Sequence, residues 1–187
     1  MVLQARQRLS ADHHAVNEVL KQLLTALDSD DLQTIYSRLD LLWARLAVHI
    51  RAEHLHLFPA IASRLAEAQP AIDSLRADHD FFMRELARAL AIFRELPPQA
   101  LTAKNNAKLA SVAGIIGEVA KRLATHNTVE EDRVYRWASE MLSEPEQLKL
   151  LAHINTELEN RPPRFSDEAW AYRLAPEDEH RYVRDEH

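Results

Sequence analysis

The chain has 187 residues, room for one domain with a full hydrophobic core but scarcely for two. Abundant Leu, Ala, Arg and Glu with only two glycines favour helix throughout, and the β-branched and aromatic runs of strands are missing. A net charge of −6 and a pI near 5.9 argue against a nucleic-acid surface, which needs clustered Lys and Arg. The absence of cysteine excludes disulfides, iron–sulfur clusters and thiol chemistry. No apolar run approaches the roughly 20 residues of a membrane span. Residues 1–20 lack the apolar core of a secretory signal, so a cytoplasmic location is the expectation.

A first helix is predicted over Leu3–Leu27, because Val16, Val19, Leu20, Leu23, Leu24 and Leu27 recur on one helical face. Extended backward, that face reaches His13, while His14 falls on the polar side. A second helix follows over Leu32–Leu65, and its buried seam runs Leu32, Ile35, Leu39, Leu42, Leu46, His49, Glu53. Pro59 lacks a backbone N–H and is expected to kink or unwind this helix one turn beyond Glu53. The third helix, Ala71–Leu96, buries Ile72, Leu75, His79, Phe82, Leu86 and Phe93, and Pro97-Pro98 ends it. The fourth, Leu101–Leu142, buries Leu109, Val112, Ile116, Val119, Leu123, His126, Glu130, Val134 and Trp137. Its Gly114 and Gly117 mark either a close helix approach or a local weakness. Ser143-Glu-Pro-Glu reads as the cap of a short fifth helix ending near Glu159. Beyond Arg161 the chain is polar, acidic and aperiodic, an irregular tail with Trp170, Tyr172 and Tyr182 as its anchors.

The halves repeat. Leu9-Ser-Ala-Asp-His matches Leu75-Arg-Ala-Asp-His at an offset of 66, and His49-x-x-x-Glu53 with Leu57-Phe58 matches His126-x-x-x-Glu130 with Val134-Tyr135 at an offset of 77. Each half is one helical hairpin, so the expected fold is all-α, an up-down-up-down four-helix bundle. Its boundaries are 1–142 for the bundle, 143–160 for the short C-terminal helix and 161–187 for the tail. The lone histidines lie early in their helices and the H-x-x-x-E pairs late in theirs. An up-down-up-down bundle therefore gathers all six in one layer at one end.

A His and a Glu four apart lie on one helix face and can reach a common ion. Imidazole suits Fe, Zn, Cu and Ni, and carboxylate oxygens can bridge two ions. With both glutamates bridging and two histidines per ion, each octahedral ion keeps one position for an oxo or hydroxo bridge and one for an outside ligand. A single histidine on a buried stripe is ordinarily a satisfied core residue. Four on matching stripes, with two carboxylates that would be costly to bury alone, point to metal.

On these residues the chain resembles the hemerythrin-like, HHE cation-binding family, over roughly residues 3–142. The order H…H-x-x-x-E…H…H-x-x-x-E and the Leu57-Phe58-Pro59 run carry the resemblance. It implies a non-haem di-iron centre, two Fe ions, held by His13, His49, Glu53, His79, His126 and Glu130. Oxygen-carrying hemerythrins add a fifth histidine one turn from His79, but Leu75 and Met83 stand there. The resemblance is therefore to the four-histidine, two-glutamate subgroup, associated with nitric oxide or peroxide responses and with iron-centre repair. The repair proteins usually carry a cysteine-bearing N-terminal segment, absent here. The expected ligand is a small oxidant or gas (O2, NO or H2O2), with peroxide decomposition or a nitrosative or oxidative stress role. No nucleic-acid or membrane partner is expected. The alternative is a non-catalytic iron or oxygen sensor that signals to a protein partner through the tail.

The remaining candidates have plainer readings. His14, His54, His153, His180 and His187 are expected to be solvated, and His56 to sit at the rim. Glu131 is the one rival to Glu130. Tyr36 and Tyr135 could serve as proton or electron donors near oxygen chemistry, but the expectation is ordinary packing with their hydroxyls at the surface; Met83 is expected to fill core or line the ligand pocket.

Overall fold

A computed structural model describes residues 5–28, 32–96 and 103–160, with the side chains of 103–105 left aside. The tail from residue 161 and the two inter-helix connections, with Pro97 and Pro98, lie outside the described residues. Helix α1 spans Ala5–Asp28 and α2 Leu32–Ala52; a wide turn at Glu53–Leu57 links α2 to the short α3, Phe58–Ala62. After a 3₁₀ turn at Ala66–Ala68, α4 runs Gln69–Arg94. Helix α5 spans Ala103–Val129, a second wide turn covers Glu130–Val134, and α6 is Tyr135–Met141. Helix α7, Glu144–Glu159, begins with the expected cap: the Ser143 side chain and backbone bond Glu146, closing a capping box.

Helices α1 and α2 pack as one hairpin and α4 and α5 as the other; α2 against α4 and α1 against α5 close the square. Every described element is helical, and the all-α four-helix bundle expected from the apolar periodicity is present. The core is divided. One apolar cluster contains Val16, Leu46, Phe82 and Leu123; the other contains Leu9, Ala52, Leu75 and Val134. His13, His49, His79 and His126 fall between these residues on their helices, so the polar layer lies inside the bundle between two dry regions. The expectation of a site at one end of the molecule is corrected here. The helices continue past the layer, and α7 packs on α1 and α2, burying Leu150, Ile154 and Leu158 in the second cluster.

Two further expectations change. In the wide turns the backbone N–H of Phe58 bonds the carbonyl of Glu53, and that of Tyr135 the carbonyl of Glu130, both i→i+5. The departure from α-helix thus begins at the glutamates, not one turn later. It recurs at Glu130, where no proline follows, so Pro59 is not its common cause. Gly114 and Gly117 have nothing within 4 Å of where a Cβ would stand, so they mark no close helix approach.

Candidate metal centre

The bundle brings all six sequence-predicted donors together. His13, His49, His79, His126, Glu53 and Glu130 are all buried, with both glutamates 0 % exposed. Their ligand atoms fall in two overlapping groups, His13–His49–Glu53–Glu130 and Glu53–His79–His126–Glu130, each spanning no more than 4.8 Å. Each glutamate offers one oxygen to each group. Glu53 sets Oε1 3.4 Å from His49 Nε2 and Oε2 3.4 Å from His79 Nε2. Glu130 sets Oε2 3.2 Å from His13 Nε2 and Oε1 3.0 Å from His126 Nε2.

The outward ring nitrogens are all engaged. His49 Nδ1 donates to Asp12 Oδ2 at 3.0 Å, His126 Nδ1 to Asp78 Oδ2 at 3.2 Å, and His13 Nδ1 to Glu131 Oε1 at 2.9 Å. An ionised carboxylate can only accept, so these three Nδ1 atoms carry protons, and each ring, when neutral, turns an Nε2 lone pair inward. His79 differs: its Nδ1 shares a hydrogen bond of 2.9 Å with His54 Nε2. Its Nε2 lies 3.0 Å from His126 Nε2.

Lone pairs therefore meet lone pairs at the centre. Among the described residues, His49 Nε2, Glu53 Oε2 and Glu130 Oε1 are buried with no hydrogen-bond partner, an arrangement that costs several kcal/mol unless a cation sits between the donors (roughly 1–3 kcal/mol per neutral group, more for charged ones). Nitrogen and carboxylate oxygen together suit a first-row transition ion, and the residues fit such a group.

Without metal, protons must moderate this crowding, and the ionisation shifts show where they go. Burial alone would push His49 down, but the Glu53 and Asp12 carboxylates hold it well above the usual imidazole range. His126 is likewise raised against its burial, chiefly by Glu130. Burial drives His79 down to about 2; Glu130 opposes this, and His126 and His54 reinforce it. Burial and the Glu130 charge push Glu53 up. Glu130 is held well below the carboxylate range, because His126 and His13 outweigh its burial.

Tyr135 corrects the expectation of a surface hydroxyl. It is fully buried, donates to Glu53 Oε1 at 2.7 Å, and its oxygen lies 3.0 Å from His13 Nε2 and 3.3 Å from Glu130 Oε2. Burial, then the two carboxylates, raise this phenol well above its ordinary range. Its repeat counterpart Phe58 stacks on His79 at 5.9 Å between centroids, while Tyr135 stacks on His13 at 5.5 Å. His54 is a second correction, since it is half-buried against His79 and not freely solvated. Glu131, the rival to Glu130, stands outside the cluster and bonds the back of His13.

The other readings fall as the pattern suggested. His14 and His153 are exposed, and His56 is a rim residue near Glu157 and His153. Tyr36 is partly exposed beside Phe93, and Met83 is partly buried against the first apolar cluster. His180 and His187 lie outside the described residues. None of the described helices is long and apolar enough to cross a membrane.

Among curated proteins and solved structures, no match to the chain is found. The family pattern described as the Hemerythrin HHE cation binding domain does match, over residues 4–138, a span that holds all six donors and Tyr135. The chain therefore belongs to the hemerythrin HHE cation-binding family.

Proposed function

We propose that His13, His49, Glu53, His79, His126 and Glu130 hold two iron ions with an oxo or hydroxo bridge. On this reading the protein binds a small oxidant or gas such as O2, NO or H2O2. The observation that carries the reading is the split of each glutamate, one oxygen toward His13/His49 and the other toward His79/His126. A single-ion site would leave one of those oxygens, and one pair of imidazoles, without purpose. When bound, the iron pair supplies open positions for a small ligand and a store of electrons.

The chain's own residues then have defined tasks. Asp12, Asp78 and Glu131 fix the tautomer and orientation of His49, His126 and His13. Phe58 stacks on His79 and Phe82 meets His126 edge-on, so apolar rings line that side of the centre and disfavour water there. The Tyr135 hydroxyl keeps Glu53 Oε1 in place and puts a proton donor in direct contact with the centre. The hemerythrin-like unit on this reading is residues 1–142, with α7 as a cover, in a cytoplasmic protein.

The test is anaerobic reconstitution with Fe(II), followed by optical spectra on exposure to O2, NO and H2O2 separately. A new absorption band with at least one of them is expected. A fully loaded protein silent to all three would overturn the proposed function.

A further inference from the structure

The internal repeat makes the two halves of the centre near copies, and the places where the copies differ carry information. Asp12 behind His49 and Asp78 behind His126 are equivalent, both from the Leu-x-Ala-Asp-His repeat. Both also have arginine neighbours: Arg8 and Arg45 act on Asp12, and Arg122 pairs with Asp78. These contacts largely cancel between the halves. Two positions do not match. Residue 54 corresponds to 131 and residue 58 to 135, each at the offset of 77.

At the first of these, Glu131 backs His13 with a carboxylate, whereas His54 backs His79 with an imidazole. A carboxylate accepting the Nδ1 proton pushes electron density onto the ring and strengthens Nε2 as a ligand. A neutral imidazole does so less and adds no negative charge. At the second position, Tyr135 brings a hydroxyl oxygen 3.0 Å from His13 Nε2, whereas Phe58 presents only carbon to His79. The first difference favours the His13/His49 half; the second does not strengthen either half, because the Tyr135 hydroxyl donates to Glu53 Oε1.

Resting on the di-metal reading above, we infer that the two ions are held unequally: tightly at His13/His49, and loosely and exchangeably at His79/His126. His54 and Glu131 act as the positioning residues that set the difference. The weaker half is then the one at which metal is gained and lost.

The experiment loads the full chain anaerobically with two Fe(II), adds an excess of a coloured Fe(II) chelator, and follows iron release. Two phases of equal amplitude are expected, one ion leaving at least about 10-fold faster than the other, the size typical of groups behind a ligand. His54→Glu supplies the missing carboxylate and should slow only the fast phase by about 10-fold; Glu131→Gln should accelerate only the slow phase by a similar factor. Both side chains are partly exposed, so the fold should tolerate the changes, and circular dichroism checks this. Mössbauer spectra after one equivalent of Fe(II) should show one iron environment, joined by a second after the next equivalent. Release of both ions in one phase, or equal filling of both environments from the start, overturns the inequality. So does Glu131→Gln acting on the fast phase. Failure to hold two ions at all strikes instead at the di-metal reading itself.

Discussion

Within the polar layer, each histidine is defined by what it bonds on its outer side, and those partners decide how metal and protons compete. His49 and His126 are held above the ordinary imidazole range in the metal-free chain, since Glu53, Asp12 and Glu130 outweigh their burial. A raised imidazole keeps its proton at neutral pH, and an ion must displace that proton to bind. Metal loading at pH 7 should therefore release protons, and apparent affinity should rise with pH through and above the ordinary imidazole value near 6.5. Calorimetric titrations in buffers of different ionisation enthalpy measure the release; a buffer-independent enthalpy would contradict it. Tyr135→Phe removes the hydroxyl that donates to Glu53 Oε1, leaving a buried carboxylate oxygen less satisfied. In the metal-free protein this should cost about 1–3 kcal/mol, read as a lower denaturation midpoint. Metal stoichiometry should stay unchanged, since none of the six proposed ligands is altered.

Among the elements, the two wide turns explain why a tyrosine could be mistaken for a surface residue. In a regular α-helix the residue five beyond Glu130 would lie roughly 140° around the axis from it, at 3.6 residues per turn. The i→i+5 turn at Glu130–Val134 brings Tyr135 back under the glutamate, and the matching turn at Glu53–Leu57 does the same for Phe58. Periodicity of 3.6 finds the four histidines, which lie in regular helix, and the two glutamates, which open the turns; it loses the residues after them because the period itself changes. A signal was nevertheless present: Phe58 at the equivalent position is an apolar residue in both its chemistry and its stripe. Asp12 and Asp78 were also visible as the repeated Ala-Asp-His, but the assignment of the inward face to histidine left no role for the residue beside it. Gly114 and Gly117 are a separate matter, exposed in the middle of α5 with space around each Cβ position. Gly114→Ala and Gly117→Ala should each stabilise the fold by about 0.5–1 kcal/mol, through helix propensity. A thermal shift in the opposite direction for both would show that α5 needs their backbone freedom.

For the whole molecule, the four-helix bundle, its hairpin pairing and the capping of α7 follow from apolar spacing and from the Ser143 box, so they were readable, whereas the breaks that set α3 and α6 apart were not. The depth of the site was not. A helix-by-helix count places the ligand layer at the end of the first four helices. Whether further chain folds over that end depends on where α7 docks, a long-range contact that no local pattern records. That docking adds Ile154 and Leu158 to the apolar cluster that holds Leu9 and Ile61 and, with the helices that continue past the donors, leaves an internal layer with dry packing on both sides. Burial is what makes the six donors expensive when empty and strong when filled, so fold and centre are energetically tied. The most direct measurement is metal content by atomic absorption after anaerobic loading and desalting, on the full chain and on His49→Ala and His126→Ala. Two ions per chain for the parent, and fewer than two with a lower melting temperature for each variant, are the predicted results. Two ions retained in either variant, or none in the parent, would contradict a centre built from these six side chains.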